Sequence, residues 1–391
     1  MIISGPQIYA ETGVIKNADL IIDGNKIQAI HTKQISSTEK ILFPENYHLV
    51  PGFIDVHIHG ANGFDVMDGT FSALEKMSET LAEEGTTSYL ATTMTAPAKK
   101  ISQVLENAGR YMQQQHTVRG AKLLGVHLEG PFLSPQKIGA QNVLNILRPE
   151  IDYIRAWQEK SLNAIRMVTL APELPNSLEL IRFLCAQKIV ASIGHTNATY
   201  EETLAAVESG CTHATHLFNA MRGIHHREPG VAAAALLSEK LTAELIVDGV
   251  HLHPAIVQLA VKTKGKEKIV LVTDAMRAKC LKEGVYDLGG QQVEVKNNIA
   301  SLPDGTLAGS TLKMFAAVKN MMKFTRCDLW DAVQCAANNP AKLLGVFAEK
   351  GSILPGKDAD LVVLDDELNV VMTIVQGEVV FRQGQYEARG I

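Results

Sequence analysis

The chain has 391 residues, 46% hydrophobic and 20% charged, with a formal net charge of -5 at pH 7. That is ordinary globular usage, which excludes a disordered chain, and the negative balance excludes a general nucleic-acid binder, which needs a basic face. A length in this range suits one large barrel with an accessory module, because single cores stop growing near roughly 250–300 residues.

The first fifty residues read as short strands broken by turns. Asp19–Ile22 and Lys26–Ile30 flank Asp23-Gly24-Asn25, a hairpin signal. The opening Met1-Ile2-Ile3-Ser4-Gly5-Pro6 lacks the basic start and apolar stretch of a secretory signal, and no run reaches the roughly 18 apolar residues of a membrane helix. Cys185, Cys211, Cys280, Cys327 and Cys335 are odd in number and contain no close pair. Neither a disulfide framework nor a cysteine zinc site is expected, and a reducing cytoplasm is the expected compartment.

Further along, apolar strand-like runs alternate with longer helical patterns. The runs are Gly52–His57, Thr86–Thr93, Lys122–His127, Ala164–Leu170, Ile189–Ile193, Thr212–His216, Ala243–Val247 and Ile269–Thr273. Thr70–Glu84 and Thr199–Ser209 read as helices, stopped by Gly85 and Gly210. Eight strand-then-helix units in about 300 residues predict a (β/α)₈ barrel over residues 51–350. Strand patterns return at Asp360–Leu364, Val370–Val375 and Glu378–Phe381, so residues 1–50 and 351–391 are expected to share one small β-sandwich.

Barrels of this kind gather their catalytic groups at the C-terminal ends of the strands. Here His57 and His59 end the first run and Glu129 follows the third; His195 follows the fifth, His216 ends the sixth, Asp248 and His251 follow the seventh, and Asp274 the eighth. The i, i+2 spacing of His57 and His59 puts both imidazoles on one side of a strand, where they can share a metal. Each residue also has a plainer reading. Lone histidines are more often structural or solvated, Glu129 suits a loop salt bridge, and Asp274 suits a helix N-cap. Coincidence of His57, His59, Glu129, His195, His216 and Asp274 at strand ends favours a metal site, and imidazoles with carboxylates suit zinc, iron or related divalent ions. Asp274 beside a metal-activated water could take its proton and pass it to a departing amine.

At this point the residues resemble a family. His57-Ile58-His59, Leu128-Glu129-Gly130-Pro131-Phe132, Gly194-His195-Thr196, His216-Leu217-Phe218-Asn219-Ala220-Met221, Arg227-Glu228-Pro229-Gly230, Thr273-Asp274-Ala275 and Leu307-Ala308-Gly309-Ser310 together resemble the N-acetylglucosamine-6-phosphate deacetylases of the amidohydrolase superfamily. Gly356-Lys357-Asp358-Ala359-Asp360-Leu361-Val362 resembles the returning strand of the superfamily's accessory sandwich. The resemblance implies a principal metal on Glu129, His195 and His216, a second through His57 and His59, and Asp274 as catalytic acid and base and a further metal-binding residue. It implies sugar-phosphate contacts from Ala140, Gln141, Asn219, Ala220, His251, Leu307, Ala308 and Gly309. Arg227 would reach in from the neighbouring subunit of a homodimer. A guanidinium fork and a glycine-containing loop suit a phosphate dianion, though each is more often a surface salt bridge or an ordinary turn. His225 and His226 add positive charge beside Arg227.

Gln141 departs from the family pattern, since many members carry histidine there; an amide can donate a hydrogen bond to the oxyanion but carries no charge. Three rivals remain. A cyclic amidase would need a lysine at the fourth strand's end, where this chain reads Leu170-Ala171-Pro172-Glu173. A deaminase differs in releasing ammonia, and a non-catalytic descendant would be expected to have lost ligands that this chain keeps.

Overall fold

The computed structural model describes residues 1–32, 35 and 40–384. Its central sheet is built from Phe53–Ile58, Thr86–Thr93, Lys122–Glu129, Ile165–Leu170, Val190–Ile193, His213–Ala214, Thr242–Leu245 and Ile269–Leu271, all parallel and in sequential order. Strands covered on both faces carry apolar and β-branched residues with little alternation, and Thr86–Thr93 is buried at every position. Each strand is followed by a helix, from Phe71–Ala82 after the first to Met314–Thr325 after the eighth. The ring closes just past the eighth strand: the Asp274 N–H donates to the His57 carbonyl at 2.8 Å and the His59 N–H to the Ala275 carbonyl at 2.9 Å. The expected (β/α)₈ barrel is present, and its seam runs through three of the residues singled out in the sequence.

Helix boundaries follow their signals. Thr70 caps Phe71–Ala82 by accepting from the Ala73 N–H. Thr199 and Glu202 form a reciprocal capping box at the start of Tyr200–Glu208. Gly85 and Gly210, which follow these helices, both have positive φ, at 83° and 113°.

The chain ends build two further sheets. A six-stranded sheet runs in the order Glu378–Arg382, Val370–Val375, Leu361–Leu364, His48–Pro51, Gln7–Ala10, Gly13–Ile15. A four-stranded one runs Lys26–His31, Asp19–Asp23, Ile2–Ser4, Lys40–Leu42. Leu361 pairs with Pro51 and Leu364 with His48, and Ile3, Ile8, Leu20, Leu49, Leu361, Val363 and Ile374 share one apolar core. Residues 33–34, 36–39 and 385–391 of the expected sandwich lie outside the described residues.

One further element lies within residues 51–350, the span expected to form the barrel. Gly284–Leu288, Gln291–Lys296 and Ile299–Ser301 form a three-stranded antiparallel sheet between the eighth strand and its helix. Turns at Gly289-Gly290 and Asn297-Asn298, all four at positive φ, reverse the chain, and the strand between them buries alternate residues. Among the described residues, no helix is long and apolar enough to cross a membrane.

Candidate metal and substrate site

Where the strands end, the backbone turns sharply into loops. His195, His216 and Asp274 lie there with φ of 46°, 28° and 47°. Left-handed backbone costs a non-glycine residue about 1–3 kcal/mol, a cost retained where the surrounding structure over-determines the conformation. Gly194 prepares one of these turns, since a Cβ on it would stand 2.7 Å from Thr169 and 2.8 Å from Thr215. Gly309, at φ 65°, lies against the Asp274 carbonyl, 3.1 Å from where its Cβ would be.

Those turns aim side chains from five strands at one point. Glu129 Oε1 lies 3.1 Å from His195 Nε2 and 3.1 Å from His216 Nε2, and the two ring nitrogens are 3.1 Å apart. On the other side of the same carboxylate, His57 Nε2 is 3.4 Å from Glu129 Oε1 and 3.4 Å from Asp274 Oδ1. His59 Nε2 is 3.3 Å from Glu129 Oε2 and 3.2 Å from Asp274 Oδ1. All six expected residues therefore meet, and all are at least nine-tenths buried.

The donor set fits a divalent cation. Ligands held about 2.0–2.1 Å from a tetrahedral zinc stand roughly 3.3 Å apart, close to the separations observed here. His57 Nε2 and His216 Nδ1 are buried without a hydrogen-bond partner among the described residues, and His57 Nε2 faces two carboxylates. Electrostatics agree. Burial works against charge on His57 and His59, yet Asp274 and Glu129 outweigh it, raising His57 well above the ordinary histidine value and His59 to about 9. Burial likewise opposes ionisation of Glu129, but His57, His195 and His216 hold its carboxyl well below the usual carboxylate range. A site that pulls protons onto buried imidazoles presents the negative potential that also attracts a cation, and protons and metal compete for the same lone pairs.

Above this cluster opens a cavity of about 540 Å³, within the range of small-molecule sites. His59, Glu129, His195, His216 and Asp274 form its floor, while Ala140, Gln141, Asn219, Ala220, His251, Leu307 and Gly309 line its walls. Ala308 is buried behind them, its N–H donating to the Ala300 carbonyl at 3.0 Å. Asp248 Oδ2 orients His251 through Nδ1 at 2.7 Å. Gln141 does not point freely at the cavity: its amide N–H donates to Glu129 Oε2 at 2.7 Å and its oxygen accepts from the Thr95 N–H at 2.7 Å. Arg227 is exposed, 2.7 Å from His226, and does not line the cavity of its own chain; His225 and His226 are exposed too.

Sequence reasoning passed over several contributors. Glu244, buried in the seventh strand, bonds His57 Nδ1 and His213 Nε2, both at 3.0 Å. Its only signal is a carboxylate inside an apolar run, Ala243–Leu245. His127 is tied to Thr169 at 2.7 Å; burial and then His57 lower it to about 3, so it is neutral. The inserted sheet supplies Leu288 to the cavity wall and fastens it through Gln291, whose amide donates to the Ala140 carbonyl at 2.5 Å.

Comparison with known proteins agrees with this geometry. The Amidohydrolase family profile matches residues 48–380. The chain is 45% identical over 97% of its length to the N-acetylglucosamine-6-phosphate deacetylase of Bacillus subtilis (strain 168), covering 97% of that protein. It is 38% identical over 95% of its length to the N-acetylgalactosamine-6-phosphate deacetylase of Escherichia coli O157:H7, covering 97% of it. A solved structure of a mutant N-acetyl-D-glucosamine-6-phosphate deacetylase from Mycobacterium smegmatis, in complex with N-acetyl-D-glucosamine-6-phosphate, superposes with a TM-score of 0.92 at 32% identity, over 97% of this chain and 99% of that one. The barrel, the cluster at its mouth and these relatives lead to one assignment: the chain belongs to the metal-dependent amidohydrolase family and, within it, to the N-acetylglucosamine-6-phosphate deacetylase family.

Proposed function

We propose that the chain hydrolyses the acetamide of N-acetylglucosamine 6-phosphate to glucosamine 6-phosphate and acetate, in cytoplasmic amino-sugar catabolism. The observation that carries this reading is the triangle of Glu129 Oε1, His195 Nε2 and His216 Nε2 at 3.1 Å separations, with Asp274 beside it on the floor of the cavity. On this reading Glu129, His195 and His216 hold the principal ion, zinc or iron, and His57 and His59, with Glu129 and Asp274, hold a second. Residues 51–350 are the catalytic barrel, and 1–50 with 351–391 the accessory domain.

A divalent cation bound there lowers the pKa of a water and polarises the acetamide carbonyl. Asp274 is the catalytic acid and base. Burial opposes its ionisation, but His57 and His59 hold its carboxyl below the ordinary value, so it is ionised and free to accept a proton from the attacking water. It then delivers that proton to the amide nitrogen as the C–N bond breaks, releasing acetate and a free amine. Gln141, fixed by Thr95, steadies the Glu129 carboxylate and stays beside the substrate as a neutral donor.

Asn219, Ala220, His251, Ala140 and the Leu307-Ala308-Gly309 segment, through Leu307 and Gly309, would contact the sugar phosphate. Lys137 also lines the cavity, and a phosphate dianion calls for more positive charge than that one lysine supplies. Arg227, reaching in from the second subunit of a homodimer, would provide it. Mixed dimers of Asp274→Asn and Arg227→Ala subunits contain one site with both residues intact. Mixing should therefore restore activity that neither variant has alone, and no recovery would contradict the shared site.

The function is tested by acetate release from N-acetylglucosamine 6-phosphate, its unphosphorylated form and the galactosamine 6-phosphate epimer, using protein of measured metal content. Charged hydrogen bonds contribute about 1.5–3 kcal/mol each, so losing the phosphate should lower kcat/KM at least about tenfold. Ammonia in place of acetate would point to a deaminase, and a preference for the epimer would move the substrate to N-acetylgalactosamine 6-phosphate.

A further inference from the structure

Glu244 is fully buried inside the barrel, on the seventh strand Thr242–Leu245. An ionised carboxylate there costs several kcal/mol of lost hydration unless donors surround it. Three do. His213 Nε2 faces Oε1 at 3.0 Å; His57 Nδ1 at 3.0 Å and the His216 N–H at 2.9 Å both face Oε2. The Glu244 carbonyl also accepts from the Leu217 N–H at 2.9 Å.

The partners of Oε2 are informative because they sit on different strands and belong to different halves of the ion cluster. A ring that gives one nitrogen to a cation keeps a single proton, and the contact with Oε2 places that proton of His57 on Nδ1. That leaves Nε2, which faces Glu129 and Asp274 and has no hydrogen-bond partner among the described residues, as the atom that would meet the cation. At His216 the same oxygen grips the backbone, and the Glu244 carbonyl grips the next residue. Together they clamp the turn in which His216 adopts φ 28° and presents Nε2 to Glu129 and His195.

We propose that Glu244 is a positioning residue of the site: one carboxylate oxygen fixes the proton of the His57 ring on Nδ1 and anchors the His216 turn, so that both Nε2 atoms are turned toward the cations. The inference rests on the reading above that His57 and His216 hold the ions. A carboxylate behind a ligating histidine both orients the ring and raises its basicity, and losing one typically costs 10–100-fold in metal affinity.

Two variants test it. Glu244→Met keeps length and removes every acceptor; folded protein should bind zinc about 10–100-fold more weakly and lose the equivalent that uses His57 first. Glu244→Gln can turn its amide oxygen to His57 and His216 and its NH₂ to His213. Its zinc affinity should stay within about tenfold of the wild type. In zinc-loaded, ¹⁵N-histidine-labelled protein, however, its His57 Nδ1–H resonance should move upfield as a neutral acceptor replaces the carboxylate. Wild-type zinc affinity in folded Glu244→Met, or a His57 ring N–H unmoved in Glu244→Gln, would overturn the proposal; if Glu244→Met does not fold, the Glu244→Gln spectrum decides. A purely architectural Glu244 would lower Tm in both variants and leave zinc affinity alone, which also overturns it. A wild-type protein that binds zinc but releases no acetate would contradict the deacetylase reading and leave this inference standing.

Discussion

Two clusters of buried charge show what separates a structural network from a reactive one. At the start of the second strand, Lys350 Nζ meets Asp360 Oδ2 at 2.9 Å, Asp358 Oδ2 at 3.5 Å and Ser88 Oγ at 3.4 Å. The remaining carboxylate oxygens are taken up by Lys26 Nζ at 2.7 Å and the Gln376 N–H at 2.8 Å. That cluster brings its own cation, and it lies where the barrel meets the returning strand from the C-terminal end. At the other end of the strands, Glu129 and Asp274 face four imidazoles, five of the six residues have left-handed or seam-forming backbone, and two ring nitrogens have no hydrogen-bond partner among the described residues. Burial is the same; only the second cluster is left incomplete by its own side chains.

Substitutions should therefore separate the two clusters. Glu129→Gln removes the carboxylate shared by both ion positions, and metal content and turnover should fall to background while Tm of the metal-free protein stays close to wild type. A variant that keeps its metal would break the comparison. Asp274→Asn should keep at least one ion but lose about 10²–10⁴ in kcat, the usual contribution of a general acid and base; normal turnover would reject its role. Lys350→Met should do the reverse. Leaving the buried Asp360 without its cation, while Asp358 keeps Lys26, costs about 3–5 kcal/mol in a denaturant melt, with kcat of the folded fraction unchanged. Gln141→Leu sharpens the boundary, because it touches the reactive cluster only through Glu129 and the substrate. About tenfold weaker metal binding with reduced kcat is expected, whereas unchanged values would remove it from the site.

Much of this was legible in the sequence because barrel chemistry follows local pattern. The eight strand patterns match the barrel strands to within a few residues, since each apolar run must be buried on both faces. The six polar residues at their ends converge because strand ends share one rim. Glu244 escaped notice for the same reason: it interrupts an apolar strand at a position that faces the barrel interior, and nothing local distinguishes it from a solvated carboxylate. The sheet at Gly284–Ser301 has a signal in its paired Gly289-Gly290 and Asn297-Asn298 turns, which the strand-then-helix reading did not use. The bond from Gln141 to Glu129 joins the end of the third strand to the long loop that follows it and has no local sequence signal. Arg227 is exposed on its own chain, and the role proposed for it lies in a second copy.

The most direct test is a zinc titration of metal-stripped protein, with acetate release from N-acetylglucosamine 6-phosphate followed at each step. Turnover should begin at background, rise in proportion to zinc bound and level off after one or two equivalents per chain. Full turnover in stripped protein, or zinc uptake at the six-residue cluster with no acetate at any occupancy, would contradict the claim that these side chains hold a cation in order to cleave the amide.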